Sequence, residues 1–298
     1  MSDGTGGNFR GPLTGNRNLA YAAIHPFPLP GWQPSDLVCI TGKNWQVIFQ
    51  PNGADYIDIE RGPKIIDRHL EGPNILIRGT NGVSDRDEVV RAQKPLIDAV
   101  RGLLFLLGPP AKPVLLPPVW EGVLRIPSPK TIAYEVGRRE ATWPGLTRAQ
   151  LEDWGKEWEA FDPLECPPEV GFALRWFYQG MLELADLSGE PADAFTALWL
   201  CIITLVRAWH SQNVGGDPSE MQRFIAYAGT RLQLQGDVLE DVKKEFQQVR
   251  HRRNELFKGG GGMAVSEKEA SLAANLAHHV LRYELGLYSQ GKAKFKSS

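Results

Sequence analysis

Four residues that can bind anions or move protons follow one another near the carboxyl end of a predicted helix over residues 236–258. They are Arg250, His251, Arg252 and Arg253. Guanidinium groups bind phosphate and carboxylate through paired hydrogen bonds, and an imidazole can carry a proton near neutral pH. These residue types therefore predict a site for a phosphate group or for an acidic side chain across an interface.

Arg253 interrupts the apolar pattern of this helix. Its apolar stripe, in steps of three and four, consists of Leu239, Val242, Phe246, Val249 and Leu256. The next step of four after Val249 leads to Arg253, so the arginine occupies a core-facing position. A buried arginine is costly unless it is paired or faces a wet interface. A basic helix terminus that suits the helix dipole, with Arg253 reaching out to solvent, is the alternative.

The residues from Arg253 onward read Arg-Asn-Glu-Leu-Phe-Lys-Gly-Gly. This octapeptide resembles the end of the signature helix of the HEPN superfamily, in which an arginine is followed after four to six residues by a histidine. Residues 173–177 and 195–199 are similar to the first long helices of such bundles. The resemblance covers residues 165–290. It implies a helical bundle that commonly dimerises, and active members are metal-independent endoribonucleases of toxin–antitoxin, anti-phage and CRISPR systems.

This chain departs from the family pattern at Lys258, which stands where the family has its histidine. A lysine is protonated at neutral pH, so it binds phosphate but does not serve as a base unless it is strongly desolvated. The resemblance implies Arg253 as phosphate ligand, Asn254 as the residue that orients the site, and Lys258 as the group at the catalytic position. The further RNA- or phosphate-binding residues that it implies are Arg250, His251 and Arg252.

Two hypotheses follow for the function. The first is an RNA-engaging protein of a prokaryotic defence or toxin-type system, with catalysis in doubt because the family histidine is missing. The second is a non-catalytic bundle that dimerises or binds a partner protein through the Arg253 face, with the amino-terminal sheet as a sensor or docking module.

His251 lies about 200° around the helix from Arg253 and points away from the stripe. His278 and His279 lie in the next helix, where one of them could act as a displaced base or both could be without chemistry.

Composition limits the function classes. The 298 residues carry a formal net charge of −2, so any contact with nucleic acid must be local. The three cysteines are scattered, which favours a reducing, cytoplasmic compartment. No motif with metal-ligand spacing is present, so neither a metal nor a cofactor is predicted. The longest apolar run, residues 195–206, is shorter than a membrane span, so no membrane is expected.

The elements that position these residues indicate an α+β fold. Residues 1–17 are predicted to form a flexible tail. Residues 18–130 are predicted to form a mixed α/β domain with a small antiparallel sheet and a helix over 87–107. Its end, from residue 108, is a connector that contains seven prolines and can hold only edge strands. The strands are predicted at residues 36–41, 44–49, 55–60 and 74–78.

Residues 147–290 are predicted to form an antiparallel helical bundle, and residues 291–298 a basic tail. Helices are predicted over 147–161, over 168–187, from Pro191, from the segment 217–220, over 236–258 and from Ser266 to residue 287. Their short connections favour antiparallel neighbours. In the segment 217–220, Asp217 is predicted as the N-cap and Glu220 as the capping glutamate.

Overall fold

The computed structural model describes residues 19–26, 38–50, 54–56, 68–70, 74–106, 115–118, 120–125, 166–185, 189–258 and 264–289. The predicted tails at residues 1–17 and 291–298 lie outside these ranges, and so does the helix predicted over 147–161. The fold is α+β, as predicted, with an antiparallel sheet followed by a helical carboxyl-terminal region.

The sheet has five antiparallel strands in the order β2-β3-β6-β1-β7, and β4 pairs with β5 in a separate ribbon. The strands are β1 (Leu19–Pro26), β2 (Val38–Thr41), β3 (Trp45–Gln50), β4 (Ala54–Tyr56), β5 (Arg68–Leu70), β6 (Asn74–Gly79) and β7 (Trp120–Arg125). The predicted strands at 36–41, 44–49 and 74–78 are confirmed with small shifts, and β4 covers the start of the one predicted at 55–60.

Two strands extend the sheet beyond the sequence prediction. β1 pairs with both β6 and β7, and its residues 20–25 are all buried, so it lacks the alternation that marks a half-exposed strand. β7 lies within the proline-rich connector and, at the end of the strand order, pairs only with β1. That edge position is the one that the prolines permit.

Six α-helices lie within the described residues: α1 (Arg86–Phe105), α2 (Pro168–Ala185), α3 (Pro191–Asn213), α4 (Glu220–Ala226), α5 (Gly236–Lys258) and α6 (Glu267–Ser289). α1 contains Pro95 within its length. α4 is short and continues into a π-helical turn, Tyr227–Arg231. The prediction for its start was wrong in detail, because Ser219 is the N-cap and Gln222 completes the capping box.

α1 connects the sheet with the bundle. It packs on strands of the sheet with one side and on α2 with another. A Cβ atom at Gly102 would clash with the main-chain carbonyl of Leu174, so the two helices approach as closely as they do because residue 102 is glycine. Buried apolar residues form one continuous core from the sheet to α6. The division at residues 130 and 147 falls outside the described residues and stays a prediction.

A buried arginine lies where the sheet, α1 and α2 meet. The side chain of Arg101 is 1% exposed. Its Nη1 donates to Asp98 at 2.7 Å, its Nη2 lies 3.1 Å from a Glu121 oxygen, and its Nε donates to Nε2 of His25 at 3.0 Å. The guanidinium also lies 4.9 Å from the ring centre of Tyr178 on α2. Burial alone raises the pKa of Glu121, but the positive charge of Arg101 and three hydrogen bonds outweigh it and lower that pKa to about 2.

Among the described helices, α3 alone is long and apolar enough to cross a membrane. Of its most apolar window, 61% is buried inside the protein, where α3 packs against α2 and α6. This is the environment of a core helix in a soluble protein.

The core between α3, α4 and α5 should be sensitive to truncation at Phe246. This side chain is fully buried, stacks on Phe224 with 3.9 Å between ring centres and lies 5.5 Å from Trp199. We expect Phe246→Ala to lower the free energy of unfolding by about 3–5 kcal/mol, measured by urea denaturation. Phe257→Ala on the same helix is the control, because Phe257 is 66% exposed. Equal losses in the two variants would contradict the packing.

The Arg101 cluster should make stability depend on pH through His25. Burial and the charge of Arg101 lower the pKa of His25 from 6.5 to about 3. Between those values the unfolded chain takes up a proton that the folded chain excludes, so stability falls as the pH falls. At pH 5.0 we expect the folded state to lose about 2 kcal/mol relative to pH 7.5 from this group.

Urea denaturation of the wild type and His25→Asn at both pH values measures this effect. The difference between the two pH values should shrink in His25→Asn and persist in His279→Asn, whose histidine is half-exposed. Glu121 adds to the loss of stability only when the pH falls below 4.5, the ordinary pKa of its carboxyl group. A His25→Asn protein that keeps the wild-type difference would show that another group is responsible.

Candidate functional site

The α5 helix presents its apolar stripe to the core as predicted. Val242, Phe246 and Val249 are buried, while Leu256 is half-buried. Arg253 continues this stripe, and its side chain is 28% exposed. The arginine therefore emerges from the edge of the core with its guanidinium at the surface.

Three arginines converge on one carboxylate beside Arg253. Nη2 of Arg207 lies 3.0 Å from Oε1 of Glu220 and donates a hydrogen bond to it. Nε of Arg250 and Nη1 of Arg253 lie 3.6 Å and 3.8 Å from Oε2 of the same residue. We call these four residues the arginine cluster. Its formal charge is +2, because one carboxylate faces three guanidinium groups.

Local structure explains how Glu220 comes to this position. The capping box of Ser219 and Gln222 fixes the start of α4 at Glu220. A carboxylate in the first turn of a helix also interacts favourably with the helix dipole. α4 packs against both α3 and α5, so a side chain at its start meets Arg207 from α3 and Arg250 with Arg253 from α5.

Aromatic rings surround the guanidinium of Arg253. It lies 5.6 Å from the ring centre of Trp199, which is buried, and 5.3 Å from that of Phe257, which is exposed. Both distances are within the range of cation–π interaction. Nη1 of Arg253 also donates to Oδ1 of Asn254 at 3.0 Å. An exposed ring and a guanidinium thus share one surface.

Arg252, the neighbour of Arg253, lies in a different environment. Its guanidinium donates to the carbonyl of Ala264 at 2.7 Å and forms ion pairs with Glu255 at 3.1 Å and Glu269 at 2.8 Å. Burial raises the pKa of Glu269, but hydrogen bonds from Ser266 and the charge of Arg252 outweigh this and lower it. The structure thus separates Arg252 from the arginine cluster and uses it to tie α5 to α6.

The structure places no described imidazole beside Arg253. His251 is 76% exposed and pairs with Glu255 at 3.2 Å, as expected for a residue that points away from the stripe. His278 is buried against Phe177, and His279 lies 3.8 Å from Glu245. Lys258 is the last residue of α5, and its side chain lies outside what the structure describes.

Sequence reasoning missed three members of this surface. Arg207 lies on an otherwise apolar helix and carries no motif. Glu220 was assigned to capping, and Phe257 was considered only as part of the octapeptide. One signal was available: Arg207 is the first charged residue after the twelve-residue apolar run of α3, which marks a polar side at that level of the bundle.

The chemistry that this geometry supports is the binding of an anion. A phosphate oxygen can compete with Glu220 for the guanidinium groups, which bind both anions in the same way. Nε of Arg250 and Nε of Arg253 are buried and make no hydrogen bond to any described residue, so any contact with an anion would come from the Nη groups. Within the described ranges, no group of three or more His, Cys, Asp or Glu side chains is placed to hold a metal ion.

Comparisons with models of known protein families, with curated proteins and with solved structures find no match to this chain.

Removal of the Glu220 charge should leave three guanidinium groups facing one another. We expect Glu220→Gln to lower the free energy of unfolding by about 1–2 kcal/mol, because the pairs are partly exposed, and the loss should diminish in high salt. Glu267→Gln is a matched control, since Glu267 is also the first residue of a helix but is exposed. Urea denaturation at low and high salt measures both variants, and equal losses would show that only the helix dipole is involved.

Proposed function

We propose that this chain is a HEPN-like protein of a prokaryotic defence or toxin-type system, and that it binds RNA in the cytoplasm through the arginine cluster. The observation that carries the proposal is the convergence of Arg207, Arg250 and Arg253 on a single carboxylate at a partly exposed surface. Two positive charges are left over there, and a phosphodiester backbone supplies the anion that balances them.

The aromatic residue beside the cluster supports RNA over a free phosphate ion. Phe257 is 66% exposed and lies against the Arg253 guanidinium. Unpaired bases stack on exposed aromatic rings and on guanidinium planes, which is how single-stranded RNA is held. A surface that combines the two groups fits a phosphate together with its neighbouring base.

We propose that the protein binds RNA and cleaves it weakly or not at all. Attack by the 2′-hydroxyl requires a group that accepts a proton near neutral pH, which an imidazole can do and a protonated lysine cannot. Among the described residues no histidine contacts the arginine cluster, and Lys258 stands where the family histidine would be. Arg253, Arg250 and Arg207 then serve as phosphate ligands, Asn254 orients Arg253, and Lys258 adds positive charge. We assign Arg252 a positioning role.

Glu220 favours a second candidate function, the docking of a partner protein. Its contacts with Arg207 and Arg250 show that these arginines pair with a carboxylate. An acidic side chain of a second copy or of another protein could replace it, with Phe257 as an apolar contact. Light scattering of the wild type and Arg253→Ala at micromolar concentrations tests docking to a second copy, which predicts an Arg253-dependent change of mass without RNA.

Substitution of Arg253 tests the RNA proposal. With a labelled single-stranded RNA of mixed sequence, we expect Arg253→Ala to weaken binding about tenfold, since one charge-assisted contact is lost. The slope of log affinity against log salt should also become shallower by about one. Fluorescence anisotropy in EDTA at two salt concentrations measures both, and a gel of the same samples should show intact RNA.

Arg175→Ala is the matched control for that experiment. Arg175 on α2 lies 5.3 Å from the exposed ring of Phe172, so it has the same kind of arginine–phenylalanine contact as Arg253 and Phe257. It pairs with no carboxylate among the described residues and lies outside the arginine cluster. Its loss should leave both affinity and salt slope unchanged. Equal effects of the two substitutions would contradict a localised site, and EDTA-resistant cleavage would contradict the assignment of Lys258.

A further inference from the structure

A cavity of about 670 Å³ lies between α3, α5 and α6, beside the arginine cluster. This volume is typical of sites for small organic ligands. Its apolar part is formed by Phe195, Val249 and Leu272, and its polar part includes two carboxamides, Gln248 and Asn275. The cavity therefore offers an apolar surface for a flat ring and hydrogen-bonding groups for the edge of that ring.

The formal charges of the residues that line the cavity sum to zero. Arg252 and Lys268 balance Glu255 and Glu269 in number, but Lys268 makes no ion pair with a described residue. Both carboxylates are already engaged, Glu255 with Arg252 and His251, and Glu269 with Arg252 and Ser266. The lining carries no net formal charge, which disfavours a polyanion and favours an uncharged polar ring.

The carboxamides of Gln248 and Asn275 have no hydrogen-bond partner among the described residues. A carboxamide presents a donor and an acceptor side by side. This pair matches the amino group and the adjacent ring nitrogen of adenine, which asparagine and glutamine side chains recognise in nucleic acids. Guanine calls instead for an arginine or a lysine and cytosine for a carboxylate. Here Arg252, Glu255 and Glu269 are engaged with one another.

The cavity and the arginine cluster share the same turns of α5. Val249 and Arg252 line the cavity, whereas Arg250 and Arg253, the next residue in each case, face Glu220. Successive residues on a helix are turned by about 100°, so the two sites lie on adjacent sides of one helix. A strand whose phosphate lies at the arginine cluster can place a nearby base in the cavity.

We propose that the cavity between α3, α5 and α6 holds an adenine base of the bound RNA, with Asn275 and Gln248 recognising its edge. The proposal rests on the RNA-binding function stated above for the strand, but the pocket itself can be tested with a free nucleoside. The half-buried Leu272 supplies the main apolar contact for the ring, because Phe195 and Val249 are each only 1% exposed.

The experiment compares the affinities of oligo(A) and oligo(U) of equal length for four proteins, by fluorescence anisotropy at one salt concentration. The wild type should prefer oligo(A) by about five- to hundredfold, the range expected for one bidentate contact. Asn275→Leu should bring oligo(A) to the affinity of oligo(U) and leave oligo(U) unchanged. Gln248→Leu should reduce the preference, and Gln247→Leu should keep it, because Gln247 neighbours Gln248 but does not line the cavity.

Arg253→Ala and free adenosine separate this proposal from the RNA function. Arg253→Ala should weaken both oligonucleotides equally and keep their ratio, because it removes a phosphate contact only. Binding of adenosine is measured by ligand-observed NMR, and we expect adenosine to bind the wild type but not Gln248→Leu. The comparison with Gln248→Leu tests the pocket even if Asn275→Leu fails to fold.

Equal affinities for oligo(A) and oligo(U) together with no adenosine binding would overturn the adenine pocket, while Arg253-dependent RNA binding would leave the proposed function standing. Adenosine binding that depends on Gln248, without any RNA binding, would uphold the pocket and overturn the RNA function. Uridine that binds as tightly as adenosine would overturn the assignment of the base.

Discussion

The burial of the Arg101 guanidinium is the constraint on which the rest of this fold depends. A cation with 1% exposure is tolerated only when its charge and its donors are matched. The matching groups come from four elements: His25 from β1, Glu121 from β7, Asp98 from α1 itself and Tyr178 from α2. The sheet, α1 and the bundle must therefore assemble together, and the close approach of α1 to α2 at Gly102 is part of the same arrangement.

The arginine cluster differs from the Arg101 site in its balance of charge. At Arg101, two carboxylates balance one buried guanidinium and the ammonium group of Lys94, and the guanidinium itself is closed to solvent. At Glu220, one carboxylate serves three guanidinium groups, two of them at distances of 3.6 Å and 3.8 Å. Similar residues thus produce a closed structural site in one place and an open, undercompensated site in the other. The excess charge is the physical reason why we propose ligand binding at the second.

Periodicity made parts of this structure predictable. The stripe of α5 and the displaced Arg253 followed from spacing, because one helix face must be apolar where it meets the core. β1 was missed because both of its faces are buried, which removes the alternation that identifies a strand. Glu220 was assigned to capping because its contacts with residues 207 and 253 are far apart in sequence. No local sequence pattern indicates these contacts, because they depend on how α3, α4 and α5 pack against one another.

The different roles of Arg252 and Arg253 show why the basic run at the end of α5 cannot be treated as a single charge. Arg252 is held by Glu255, Glu269 and the carbonyl of Ala264, so it fixes α6 against α5 and forms a wall of the cavity. Arg253, one residue on, faces a carboxylate that it shares with two other arginines. A helix turns by about 100° per residue, and this rotation places Arg252 against Glu269 of α6 and Arg253 against Glu220 of α4. Arg252 thus fixes the part of α5 from which Arg253 reaches Glu220.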